Sequence, residues 1–247
     1  MVWGSSGIFG LYILAFYVRN AVDGTPGAWN HALPHLYDPS RPAGNIGIGL
    51  HFVTGAMLLV MGPLQLMGGV RRAWPGFHRW VGRVYIGASM LAGLGGLIFI
   101  AVQGTIGGPV MSLGFGLYGA LMVVAAAQTI RHAMARRFET HRAWAIRLFA
   151  LTIGSWLFRM DYGLWLKLAD AAGHAHDFRG PFDRIMVFFF YVPNLLLAEI
   201  IIRGGRLRGK AAQAFGVATL GAVVALLLIS TYYFTLRHWG PPIAALI

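Results

Sequence analysis

Apolar residues gather into seven runs, at 3–18, 46–67, 80–102, 110–130, 144–166, 185–202 and 211–233, with short polar stretches between them. A helix needs roughly 20 apolar residues to cross a bilayer, so each run is long enough, or nearly so, to span as a helix. The first is the shortest. None alternates strictly between apolar and polar positions as a barrel strand does, and lipid offers no partner to unpaired backbone groups. The pattern predicts an all-α fold, a polytopic transmembrane bundle of seven helices. It divides into residues 1–45 (first helix and a long loop), 46–168 (four helices in two similar hairpins) and 169–247 (a loop and two last helices).

The composition agrees: 57% of the 247 residues are hydrophobic and 11% charged, against about a quarter charged in a soluble domain. Little of the chain is left for a soluble catalytic domain. With no cysteine there are no disulfides, iron–sulfur clusters, thiolate metal sites or thiol nucleophiles. A net charge of +12 would point to nucleic acid in a soluble protein, but here the charge follows the runs. Thirteen of the 20 Lys and Arg fall in three connections: Arg71, Arg72, Arg79 and Arg83; Arg131, Arg136, Arg137, Arg142 and Arg147; Arg203, Arg206, Arg208 and Lys210. Counting Glu139 and Glu199, that side carries +11 and the other +1. The positive-inside rule makes the +11 side cytoplasmic, with the N-terminus inside, and the charge is a matter of topology rather than of a nucleic-acid partner. No basic residue precedes the first run, so it is read as a retained helix rather than a removable signal peptide. The lipid bilayer of a bacterial cytoplasmic membrane is the expected setting.

Two of the predicted helices open alike, with His78-Arg79-Trp80 and Arg83 in one and His141-Arg142-Ala143-Trp144 and Arg147 in the other, which suggests a repeated hairpin. Glycines crowd the third and fourth runs, where small residues let helices approach closely or leave room for a flat cofactor or lipid tail. Several of these features, His51 with Gly62-Pro63-Leu64-Gln65, His78-Arg79 with Gly82-Arg83-Val84-Tyr85, and His141 through Arg147, resemble an uncharacterised family of predicted bacterial multi-pass membrane proteins, catalogued as a domain of unknown function. The resemblance runs from Leu50 to Leu168, leaves out the loop around His174, and implies a membrane bundle without supplying a reaction.

Candidate chemistry rests on nine histidines. His78 and His141 each begin a helix on the same side and should lie at similar depth, as two axial ligands of a b-type haem must. Arg79, Arg83, Arg142 and Arg147 would then face the porphyrin carboxylates. The function this favours is membrane electron transfer through haem b or a quinone. The alternative is a non-catalytic transport, lipid-binding, anion-binding or assembly protein, in which two helix N-termini with their arginines hold an anionic small molecule or headgroup. On the other side, His31, His35, His174 and His176 form a candidate Zn or Cu(II) site. Arg159 is expected to pair locally with Asp161 and Glu199 with Arg203 one turn on.

Overall fold

The structure is a computed structural model in which residues 2–204 and 210–245 are described; Arg206 and Arg208 of the third basic connection lie outside them. Among the described residues there are helices and no strands. We number the main helices α1 (Val2–Val22), α2 (Pro42–Leu66), α3 (Pro75–Gln103), α4 (Gly108–Met134), α5 (Phe138–Thr152), α6 (Gly154–Leu168), α7 (Pro181–Phe189), α8 (Val192–Ile202) and α9 (Lys210–Phe234). Six segments of the described chain are long and apolar enough to cross a membrane: α1, α2, α3, α4, α7 with α8, and most of α9 with its extension to Ala244.

The run expected as one fifth helix is two, of 15 residues each, meeting at Ile153. At the joint Thr152 turns its hydroxyl to the Phe149 carbonyl, Tyr118 of α4 donates to the Leu151 carbonyl at 2.8 Å, and Gly154 follows with its low helix propensity. The pair still runs antiparallel along α4, with His141 beside Thr129 and Leu151 beside Tyr118. Over 31 residues it is about 46 Å long, enough to match α4 end to end. The sixth run is likewise divided, at Phe190 and Tyr191, just before Pro193, which has no N–H to continue a ladder.

Helices α2 to α6 form the centre, each packed on the next, with α5 closing back on α2; α1 lies on α2, α7 on α4, α8 on α5 and α9 on α6. Glycine sets the spacing. A Cβ on Gly95 would stand 2.5 Å from the Gly47 carbonyl oxygen, and one on Gly114 would stand 2.8 Å from that of Val187. Backbone thus meets backbone between α2 and α3 and between α4 and α7, where lipid supplies no hydrophobic drive for association.

The attachment of α1 follows from one residue of α2. Pro63 sits inside that helix and cannot donate to the Leu59 carbonyl. Ser6, 1% exposed, supplies the missing donor from α1, its Oγ 3.2 Å from that oxygen, and Trp3 donates to the neighbouring Val60 carbonyl at 2.9 Å. In lipid, where such groups find no water, this is the usual remedy for an interior proline. Ser5 bonds Thr231 of α9 at 2.6 Å, so α1 joins both neighbours by hydroxyls.

Ser6→Ala should therefore lower stability by about 1–3 kcal/mol, the cost of an orphaned buried carbonyl. In a Pro63→Ala background, whose new N–H serves Leu59, the same substitution should cost much less. Thermal midpoints of the four detergent-purified proteins check this; equal losses in both backgrounds would contradict the assignment.

Candidate functional site

The loops joining α1 to α2, α3 to α4 and α6 to α7 lie at one end of the bundle, the loop end, and the arginine-rich connections at the other, the basic end. At the basic end His78 and His141 lie within electrostatic reach of each other, as the sequence pattern anticipates. His141 Nδ1 is 2.9 Å from the Thr129 carbonyl oxygen. A carbonyl only accepts, so Nδ1 carries the proton and Nε2 is the free nitrogen, as in a histidine oriented to ligate. The Nδ1 of His78 is buried and has no partner among the described residues, as is true of Gln128 Oε1 and His132 Nδ1.

The four arginines do not converge with the rings. Arg79, Arg83 and Arg142 are exposed. Arg147 is directed to Glu199 on α8, Nε to Oε1 at 2.5 Å and a second bond at 3.1 Å, with its guanidinium 4.7 Å from the Trp144 ring centre. Glu199 was expected to pair with Arg203. That contact is longer, 3.6 Å, and involves an arginine side chain 80% exposed, whereas the bidentate bond to Arg147 joins two half-buried groups on different helices.

At the loop end the four histidines divide. His174 Nδ1 donates to Asp183 at 2.7 Å, and the same carboxylate accepts from Tyr162 Oη at 2.7 Å and from the backbone N–H groups of Ala175 and Gly180 at 3.0 and 2.9 Å. Asp183 is fully buried, so these bonds fold the loop of residues 169–180 onto α6 and α7. His31, His35 and His176 line the mouth of a cavity instead. Among the described residues no group of three His, Asp or Glu side chains is set to hold a metal ion.

That cavity has a volume of about 1600 Å³ and extends from the loop end into the bundle between α2, α3, α4 and α6, past Gly93, Gly96 and Gly119 to Ala92 and Met122. Its floor at Met122 is about 21 Å along α4 from the start of that helix, near the middle of a bilayer. Gly93 and Gly119 bring α3 and α4 together, a Cβ on Gly93 standing 3.0 Å from the Gly119 carbonyl oxygen, whereas Gly96 makes room: the space there is bounded by the ring of His51, 3.4 Å from where a Cβ would stand. The imidazole of His51 is fixed by Nδ1 to the Ala92 carbonyl at 2.9 Å, which leaves Nε2 free in a residue that lines the cavity. Gln103 also lines it, and both polar atoms of its side-chain amide are buried without a partner among the described residues.

Arg159 departs most from expectation. It makes no ion pair with Asp161; it lines the cavity, 5.5 Å from the ring centre of Phe9 and within electrostatic reach of His51 and Tyr12. Residues i and i+2 point to nearly opposite faces of a helix, so Arg159 and Asp161 diverge. The signal in the sequence was an arginine seven residues inside the end of the 144–166 run, where an ionisable group is a functional candidate by default.

These features define a helical membrane protein with a deep, mostly apolar cavity open at one end. Residues 48–202 match the model of a family described as "Predicted membrane protein (DUF2306)", and the chain belongs to that family. The match runs from within α2 to the end of α8, takes in His51, Gln103 and Arg159 as well as His78 and His141, and extends beyond the Leu50–Leu168 stretch of the resemblance through the His174 loop. No curated protein and no solved structure matches the chain.

Asp183→Ala would strand four donors at once. It should cost at least about 3 kcal/mol and lower the thermal midpoint by several degrees, with the loop of residues 169–180 becoming open to limited proteolysis. A midpoint within a degree of wild type would refute the anchoring role.

Proposed function

We propose that the protein is a binding protein of a bacterial cytoplasmic membrane, which takes a largely apolar molecule into the cavity from the loop end. The observation that carries this is the cavity itself. Its walls are mainly apolar and aromatic, with a few polar groups among them, His51, Gln103 and Arg159, which is the make-up of a small-molecule site. At about 1600 Å³ it exceeds the usual size for a drug-sized ligand and suits a lipid-like one. In this reading the anion-holding role first considered for the basic end passes to the loop end, and no catalytic step is required.

A second reading, membrane electron transfer through a b-type haem or a quinone at His78 and His141, is favoured by a separate observation: two rings from different helices in mutual reach, one with its Nδ1 proton committed to a carbonyl. Exposed Arg79, Arg83 and Arg142 argue for headgroup contacts more than for porphyrin carboxylates.

Each reading has its own measurement. Gly96→Leu adds bulk against the His51 ring without meeting backbone. Native mass spectrometry of the detergent-purified wild type should show a co-purified adduct that this variant loses while keeping its thermal midpoint; identical spectra would dispose of the cavity as the binding site. For the second reading, protein from haem-replete cells should show a Soret band and a sharpened α band on dithionite reduction, both lost in His78→Ala and His141→Ala. Colourless, folded wild-type protein that also retains no quinone on solvent extraction would overturn it.

A further inference from the structure

We infer that the cavity recognises an amphiphile by an acidic head group, a carboxylic acid or a phosphate monoester, held between Arg159 and His51. The inference rests on the reading of the cavity as a ligand site and deepens it by naming the chemistry of the ligand.

A guanidinium cannot shed its charge at any ordinary pH, so an arginine inside a membrane bundle needs a counter-charge, water, or an aromatic face. Arg159 is about 14 Å along α6 from Leu168 and has neither hydrogen bond nor ion pair among the described residues; Phe9 gives it one aromatic contact. The acidic residues that line the cavity are already engaged near its mouth. Asp38 accepts from the hydroxyl and backbone N–H of Ser40 and lies 3.4 Å from Arg41, which hold its carboxyl below the usual range, and Asp177 lies 3.8 Å from Arg179. The remaining lining cations are Arg159 and, nearer the mouth, Lys167, whose Nζ rests 3.9 Å from the ring centre of Tyr233. Within this enclosure there is an excess of positive charge, and among the described residues that line it no anion is left to meet it.

His51 adds direction. Its Nδ1 proton is committed to Ala92, so Nε2 accepts. A protonated acid satisfies both groups together: its hydroxyl donates to Nε2 of His51, and its carbonyl or phosphoryl oxygen accepts from Arg159. Moving that proton onto the imidazole leaves a carboxylate or phosphate facing Arg159, and a phosphate monoester that enters as its monoanion keeps a hydroxyl for Nε2 and brings the counter-charge itself. The apolar body then has Phe52, Phe99, Met111, Phe115, Met122 and Phe158 to pack against. A neutral ester or an alcohol of the same tail fills the same volume but brings no charge to Arg159.

Equilibrium binding of a doxyl-labelled stearic acid and of its methyl ester to purified protein in a non-ionic detergent, followed by tryptophan quenching, tests this. Wild type should prefer the acid by about tenfold or more, the worth of one charge-assisted hydrogen bond. Arg159→Gln should bring the acid down to the affinity of the ester and leave the ester unchanged, and Arg159→Lys should restore part of the preference. Arg137→Gln, at the basic end, should alter nothing. Competition by unlabelled oleate and by lysophosphatidate tells a carboxylate head from a phosphate head. Equal binding of acid and ester by wild type, a preference that survives Arg159→Gln, or competition by neither unlabelled acid would overturn the inference. Gly96→Leu separates the two levels: if it blocks acid and ester alike while the acid preference is missing, the cavity binds and the head-group assignment is wrong; if it blocks neither, the cavity reading has failed as well.

Discussion

A helix bundle in lipid has no water with which to complete its hydrogen bonds, and the arrangement of this protein follows from that shortage. The carbonyl released by Pro63 is met by Ser6, and by meeting it fixes α1 to α2. The carboxylate of Asp183 gathers four donors and folds a loop onto the bundle. Arg147 and Glu199 cross from α5 to α8 to neutralise each other. In each case a polar group that would be costly alone becomes the contact that sets where an element sits. Polar groups left without such a partner are then informative, because the same cost applies to them. Among the described residues they include Arg159, Nε2 of His51 and the Gln103 amide at the cavity, and His78, Gln128 and His132 at the basic end.

Glycine has two opposite effects within a few residues of α3. Gly95 brings α2 and α3 into backbone contact, while Gly96 beside it leaves space that His51 borders and the cavity occupies. Adjacent positions on a helix are 100° apart, so one glycine faces the neighbouring helix and the next faces the interior. A single glycine-rich stretch can therefore close a bundle along one line and open it along another. This is how a tightly crossed set of helices retains a cavity of about 1600 Å³.

The fold was largely legible in the sequence because hydropathy reports directly on the solvent. The apolar runs at 46–67, 80–102 and 110–130 fall on α2, α3 and α4 within a few residues of the helix ends. The joints at Ile153 and before Pro193 were not foreseen. The first depends on the Tyr118 hydroxyl, from a distant part of the chain, and the second on a proline whose effect an apolar run masks. That His78 and His141 share the basic end was legible, since two helices opening alike on one side place their first residues at one depth. The cavity was less so. Its glycines and His51 are plain in the sequence, but which glycine makes contact and which makes room depends on helix rotation, and one sequence does not report that angle.

Arg159 and the basic-end arginines show why counting charges misdirects. Thirteen of the 20 Lys and Arg lie in the basic connections, which drew attention there, yet Arg79, Arg83 and Arg142 are exposed at helix ends, where a charge costs little and serves to orient the chain. Arg147, the one set deeper, is already neutralised. The electrostatic importance of a cation rises as its surroundings lose polarisability and partners, since the same charge interacts several times more strongly there than in water. A solitary arginine beside a fixed histidine in an apolar cavity therefore exerts more selectivity on what enters than a ring of solvated ones. The polar chemistry of this bundle is concentrated where charges are fewest.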